Sequence, residues 1–275
     1  MELKLIRQLW GIDKPWHRVL ERISEHGFDG VEVALSLFEN SDEYPDLMAR
    51  LNLTCVPMIF TEGTTVQEHI GSFRSQLEAA SSLNPMVVTC HDGRDWFDES
   101  DSDRYFSEVL AIENDLGVPV AHETHRGRIL YNPWTTRRLL EKFPSIRLCC
   151  DFSHWVCVCE RLLADQEAII QECADRALHI HARVGYAEGP QVPDPRVAQY
   201  SEELAAHERW WDLIWRSQKR RGFTSTTLTP EFGPPPYMQT NPANGEALSD
   251  LWEVSNWIAF RQKDRFRDIF GGPHE

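Results

Sequence analysis

The sequence predicts an α/β protein, a (β/α)8 barrel in which eight parallel strands close into one sheet ringed by helices. Three observations carry that prediction. Strand-like and helix-like segments alternate about eight times along the chain. Its 275 residues lie close to the roughly 250 typical of such a barrel. Four acidic or imidazole residues, Glu123, Asp151, His181 and Glu231, each stand at the C-terminal end of a separate apolar run, the rim where barrel loops converge.

The strand candidates, in order, are LKLIRQ near residue 5, VEVAL near 33, LTCVPMI near 56 and PMVVTC near 88, followed by VPVAHETHRG, IRLCCDFSHW, ALHIHARVG and TTLTPEFGPPP. Each is β-rich and runs into polar, glycine- or proline-containing sequence. The first helix starts at Pro15, a residue tolerated in a first turn; Trp16, Val19, Leu20 and Ile23 share one face, and Gly27 can close the end. A second clear start is Asn132-Pro133, a cap followed by a first-turn proline, with Leu139, Leu140 and Phe143 directed to the core. The last begins near Asp250 and carries Leu251, Val254, Trp257 and Ile258.

Parallel neighbours need long crossovers, so strict alternation implies a parallel sheet, closed or open. An open dinucleotide-binding sheet would show a G-x-G-x-x-G turn after an early strand, and a phosphate-binding loop has its own motif; the chain has neither. The closed TIM barrel is therefore expected, as a single domain over residues 1–275. Two glycine- and proline-rich stretches, Gly185 to Pro195 and the segment after Glu231, read as long rim loops over the site.

Composition narrows the function classes. With 43 acidic against 28 basic residues the net charge is −15, which disfavours non-specific attraction to nucleic acid or to an anionic membrane. No run approaches the roughly 20 apolar residues of a membrane span, and the N-terminus lacks a signal-peptide core, so a cytoplasmic location is expected. Seven cysteines, with Cys149, Cys150, Cys157 and Cys159 crowded near one strand end and no CxxC pattern, read as reduced thiols.

Three carboxylates and one imidazole are a donor set for one divalent ion. Mn, Co or Mg suit it, and Zn accepts the same donors. Strand-end carboxylates brought together without a cation would repel one another. A cation that polarises a carbonyl acidifies the neighbouring C–H, and a carboxylate then suffices as base.

At these residues the chain resembles the xylose isomerase-like TIM-barrel superfamily, which includes sugar isomerases, epimerases, inosose dehydratase and endonuclease IV. The resemblance spans most of the chain. It rests on GFDGVEV (Gly27 to Val33), the glutamate of HETHRGR, the D-x-x-H of Asp151 to His154, HIHARVG with His181, and TPEFGP with Glu231. Similarity to the tagatose 3-epimerase branch implies that Glu123, Asp151, His181 and Glu231 bind one metal and that His154 contacts substrate oxygens. It also implies that Glu123 and Glu231 act as acid and base on opposite faces of a sugar.

Several side chains extend the candidate site. Alternation along HIHARV puts His179, His181 and Arg183 on one strand face, so Arg183 can reach a substrate carboxylate or phosphate, as can Arg126 and Arg128; pairing with acidic neighbours is the competing reading. His91 and Asp92 end the fourth strand, as substrate contact or loop cap. His125 shares the face of Glu123, whereas His122 points the other way and is expected under a helix. Glu32 reads as a buried, hydrogen-bonded support, and His179 as a functional or a packed interior histidine. Trp10, Trp96 and Trp155 are candidates for a sugar-stacking wall.

The leading function is a metal-dependent isomerase or epimerase acting on a sugar or sugar derivative, and the expected partner is a small-molecule sugar or polyol, neutral or anionic. A lyase that dehydrates a polyol, keto-inositol or sugar acid needs the same proton removal. Endonuclease IV-like hydrolysis requires further histidines, which the third strand's VPMIF end lacks, and a non-catalytic sugar-binding protein is the remaining class. The tryptophan-rich helix from Trp210 to Trp215 offers an apolar face for a homodimer.

Overall fold

In the computed structural model the eight strands close into one parallel barrel in sequence order; the structure describes residues 1–13, 15–37 and 43–271. The strands are β1 (Glu2–Gln8), β2 (Gly30–Ala34), β3 (Thr54–Phe60), β4 (Val88–His91), β5 (Val120–Glu123), β6 (Leu148–Cys150), β7 (Ala177–His181) and β8 (Ser225–Thr229). Closure comes from β8 pairing with β1, Leu5 beside Leu228. Around them run α1 (Trp16–Glu25), α2 (Glu43–Arg50), α3 (Val66–Ser81), α4 (Glu99–Leu116), α5 (Pro133–Lys142), α6 (Phe152–Val158), α7 (Glu167–Ala174), α8 (Ser201–Arg220) and α9 (Leu251–Phe270).

Local chemistry sets the helix ends. Asn132 Oδ1 accepts from Thr135 N at 2.8 Å with Pro133 at the first position, as the sequence predicts, and the last helix begins where expected, with Asp250 Oδ1 accepting from Glu253 N at 2.8 Å. Pro15 stands one residue earlier than expected, as the extended residue before α1. In α3, Thr65 and Glu68 form a reciprocal capping box.

Period-two alternation divides each strand between two environments. Outward residues such as Leu5, Val31, Val88, Leu148, Ile180 and Leu228 are fully buried against helix residues including Leu20, Phe73, Phe106, Leu139, Ile170 and Ile258. Inside the barrel, Ile6, Val56, Val87, Ala121 and Cys149 form a separate small apolar cluster. The remaining interior is polar and leads to the C-terminal rim. All seven cysteines are free, and Cys157 and Cys159 alone among them are half-buried.

One expectation is corrected. Trp210, Trp211 and Trp215 are at most 5% exposed, packed within the chain rather than displayed, so α8 offers no tryptophan face for a partner. No described helix is long and apolar enough to cross a membrane.

His122 points outward from β5 and lies under α3 and α4, stacked on Phe73 and edge-on to Phe106. Its two nitrogens meet Asp92 at 2.9 Å and Glu113 at 2.8 Å. Burial opposes the imidazolium, but the flanking carboxylates dominate and raise its pKa to about 10, above the ordinary value of about 6.5. The stabilisation is therefore complete below pH ~6.5 and is lost as pH rises through the folded pKa. Substituting His122→Gln is expected to cost about 3 kcal/mol at neutral pH, because two buried carboxylates lose their partner. Denaturant unfolding of both proteins as pH is raised toward 10 should show that difference shrinking.

Candidate functional site

The barrel brings Glu123, Asp151, His181 and Glu231 to one point. Glu123 and His181 end β5 and β7, Asp151 follows β6 as the cap of α6, and Glu231 follows β8 by two residues. One ligand atom from each lies within 4.8 Å of the others, and none of the four is more than 3% exposed.

His181 is held from behind. Its Nε2–H donates to Glu32 Oε1 at 2.9 Å, and the same oxygen accepts from Thr89 Oγ1 at 2.6 Å. His179 Nε2 lies 3.4 Å from Glu32 Oε2 and 3.0 Å from Thr229 Oγ1, and its Nδ1 meets Thr227 Oγ1 at 2.6 Å. With Nε2 engaged on Glu32, Nδ1 faces the other carboxylates, 2.9 Å from Glu231 Oε2 and 3.3 Å from Glu123 Oε1. Glu32 thus has the buried support role expected of it, and His179 is an interior residue of the same network.

The acceptor atoms supply the test of fit to a cation. Glu123 Oε1 and Oε2, His181 Nδ1 and Glu231 Oε2 are buried without a hydrogen-bond partner among the described residues: the short separations lack hydrogen-bond alignment. Buried acceptors without donors are costly, and three carboxylate arms with one imidazole match a hard or borderline divalent ion. Protonation shows the same tension. Burial works against charge on His181, yet Cys149, Glu231, Glu32 and Glu123 raise its pKa well above the ordinary value. Burial also holds Cys149 as a thiol, so the carboxylates carry that effect. For Glu123, burial is outweighed by His91, His181 and His125, which hold its carboxyl well below the usual range. Burial pushes Asp151 up to about 6, against the pull of Arg183.

Arg183 is the second positive group. Its Nη2 donates to Asp151 Oδ2 and, at 2.7 Å, to His154 Nε2, and lies 3.2 Å from Glu231 Oε2. It pairs with acidic neighbours while also lining the cavity. Burial, then His125 and Arg183, lowers the His154 pKa well below 6.5, in keeping with a neutral acceptor.

Above these groups opens a cavity of about 350 Å³, of monosaccharide scale. Its floor includes Glu231, Arg183, His91 and His125; its walls include Trp10, Met58, Phe60 and Tyr237. His91 Nε2 lies 2.5 Å from Glu123 Oε2, and the His125 ring sits between those of His91 and His154, at 4.5 and 3.9 Å. Trp10 and Tyr237 meet edge to face at 5.0 Å. Glycine is required behind them, since a Cβ at Gly233 would fall 2.2 Å from the Trp10 ring.

Other expectations fare differently. His154 is fully buried and meets Arg183 instead of lining the cavity. Arg126 also stays out of the lining: its guanidinium lies 5.1 Å from the Tyr237 ring, with Nη1 3.9 Å from Cys157 Sγ. Asp92 points away, to Tyr105 and His122. Trp155 is fully buried and donates to Leu130 O, and Trp96 is 62% exposed outside the cavity; Trp10 alone of the three lines it. Gln8, Met58, Phe60 and Tyr237 escaped the sequence reading. Gln8 was within reach of it, because it ends β1 in phase with inward Ile6.

Both rim loops take part. Gln191 donates from Nε2 to Gly233 O at 3.1 Å and accepts from Gly233 N at 2.7 Å, and Gln239 Nε2 donates to Tyr186 OH at 2.6 Å.

Residues 20–232 match the family model described as a xylose isomerase-like TIM barrel. No curated protein sequence matches. Among solved structures, the chain is similar to the probable 3-DHS dehydratase AsbF of Bacillus anthracis, with TM-score 0.66 and 14% identity over 95% of this chain and 99% of that one. It is also similar to the 3-keto-D-glucoside 4-epimerase YcjR of E. coli (TM-score 0.59, 11% identity, 96% and 100% covered). Endonuclease IV of Thermus thermophilus is alike as well (TM-score 0.60, 12% identity, 98% and 100% covered). At these identities the likeness concerns the fold.

Glu32→Gln is expected to release the Nε2 side of His181 and weaken binding of a divalent ion roughly 10–100-fold. Titration of metal-stripped protein with Mn, Co, Mg and Zn, read by calorimetry, checks this; unchanged affinity for every ion would refute it.

Proposed function

Because the chain belongs to the xylose isomerase-like TIM barrel family, we propose that it is a divalent-metal-dependent isomerase or epimerase acting on a sugar or sugar derivative by proton abstraction beside a carbonyl. One observation supports this above the rest: the convergence of Glu123, Asp151, His181 and Glu231, with atoms of Glu123, His181 and Glu231 that no donor among the described residues satisfies. These four would hold the ion, of the Mn, Co, Mg or Zn type. When bound, it supplies the Lewis acidity that polarises a carbonyl and acidifies the adjacent C–H.

The chain's own residues divide the remaining work. Glu123 is the base, kept ionised by its imidazole neighbours, with His91 Nε2 2.5 Å from its Oε2. Glu231, at the cavity floor, returns the proton from the opposite face in an epimerase; a single base that carries it between adjacent carbons gives an isomerase. Trp10 and Tyr237 offer ring faces and edges to the apolar side of a sugar, and Gln8, whose Oε1 is occupied by Leu9 N, has amide N–H groups that meet no acceptor among the described residues and so are left for hydroxyls. His154 positions Arg183, and through it Asp151 and Glu231.

A second reading rests on Arg183. Burial is outweighed at Glu231 by Arg183 and His181, which lower its pKa and make it a poor proton donor. That favours chemistry in which Glu123 alone takes the proton and returns it to a departing β-hydroxyl, which leaves as water: a lyase acting on a polyol, keto-inositol or sugar acid.

The two readings part at the product. Metal-loaded protein incubated with sugars, ketoses and polyols in heavy water should yield, for the leading proposal, an isomer carrying solvent deuterium. Loss of water with new ultraviolet absorbance would identify the lyase, and no turnover by any loaded form would defeat both. Glu123→Gln is expected to lower turnover by roughly 10²–10⁴, with metal content measured on the same sample.

A further inference from the structure

Arg128 lies in the loop after β5 and lines the same cavity as Arg183, but its circumstances are the reverse. Arg183 is paired through Nη2 with Asp151, His154 and Glu231. Arg128 has no carboxylate within ion-pair distance among the described residues. Its Nη1 donates to Thr61 O at 3.0 Å and to Gly93 O at 3.1 Å, which uses both Nη1 hydrogens. Nε and Nη2 have no partner among the described residues, and together they form the edge that matches two coplanar oxygens.

The support is built in advance. Thr61 and Gly93 leave β3 and β4, and Thr61 Oγ1 ties them together by donating to His91 O at 3.2 Å and accepting from Gly93 N at 2.7 Å. Gly93 has φ +48°, and a Cβ there would meet Ile129 Cδ1 at 2.6 Å, so this close approach needs glycine. Two residues before Gly93, His91 touches Glu123, which places Arg128 beside the reacting end of the cavity. Holding a half-buried guanidinium on carbonyls costs desolvation that no described carboxylate offsets by direct pairing. In a chain of net charge −15, leaving an arginine so is notable, and a bound anion would complete it.

We infer that Arg128 is the carboxylate-binding residue of this site, and that the substrate is a polyhydroxylated carboxylic acid whose acid group takes the Nε–Nη2 edge while its hydroxyl and carbonyl oxygens face the Glu123, Asp151, His181 and Glu231 end. This rests on the metal-dependent reading above. A carboxylate fits better than a phosphate ester, since one guanidinium edge serves two oxygens and the adjoining wall residue Phe60 is apolar.

The test uses the whole chain loaded with Mn2+, titrated calorimetrically with D-gluconate, D-glucuronate and quinate. Each is paired with an uncharged counterpart, D-glucitol, D-glucose or myo-inositol, and D-glucose 6-phosphate is added. At least one acid should bind about tenfold or more tighter than its counterpart. Arg128→Gln should abolish that preference, and Arg128→Lys, which keeps the charge without the fork, should restore part of it. Acids with no advantage in the wild type, including no binding at all, overturn the inference, as do a preference untouched in Arg128→Gln and a preference for the phosphate ester. Metal content and circular dichroism of the same samples keep the two claims apart. Retained metal without acid preference removes this inference alone, whereas a wild type that holds no divalent ion removes the metal-dependent reading.

Discussion

Four carboxylates, Glu32, Glu123, Asp151 and Glu231, lie inside one barrel with at most 3% exposure, and removing that much negative charge from water is the constraint around which the site is organised. Each uncompensated charge would cost several kcal/mol. Compensation comes in layers: Thr89, His179 and His181 on Glu32, His91 and His181 around Glu123, and Arg183 across Asp151 and Glu231. His181 belongs to two of these layers. With its back on Glu32 it cannot turn, so its front nitrogen stays aimed at the other carboxylates.

The barrel's register makes this affordable. Alternation on β7 sends His179 and His181 inward, and their neighbours across the ladder, Thr227 and Thr229 on β8, present hydroxyls at matching heights. On the other side of the sheet, Asp92, His122 and Glu113 form a second charged group beneath α4. Adjacent residues, His122 and Glu123, thus serve opposite faces of one strand: the first fastens a helix to the barrel, the second belongs to the site. A one-residue slip of β5 would exchange them.

Much of this is legible in the sequence. Strand-helix alternation, the cap at Asn132, the helix start near Asp250 and the position of the four polar strand ends all depend on local sequence, and period two is enough to separate His122 from His125. What escaped depends on approach between distant segments. His154 follows Asp151 by three residues and so reads as a rim residue, yet Arg183, arriving from β7, covers it. Trp155 looks like a stacking platform until its indole is seen to donate to Leu130 O in the core. The tryptophans of α8 resemble an exposed stripe because helical periodicity cannot say how wide the buried face is. Arg128 shows the same limit: the sequence offered it as one of three arginines, and only the carbonyls of Thr61 and Gly93, far away in the chain, set it apart from Arg126.

The paired hydrogen bonds between Gln191 and Gly233, with Gln239 on Tyr186, have a meaning for how such a barrel diversifies. Rim loops of this architecture commonly vary one at a time, each as an independent module on a constant frame. Here the loops after β7 and β8 are stitched into a composite part, with half of each fastening encoded on either side of α8 and β8. Transplanting either loop alone into another barrel would carry a glutamine or a glycine without its complement, so the heritable unit of variation is the pair.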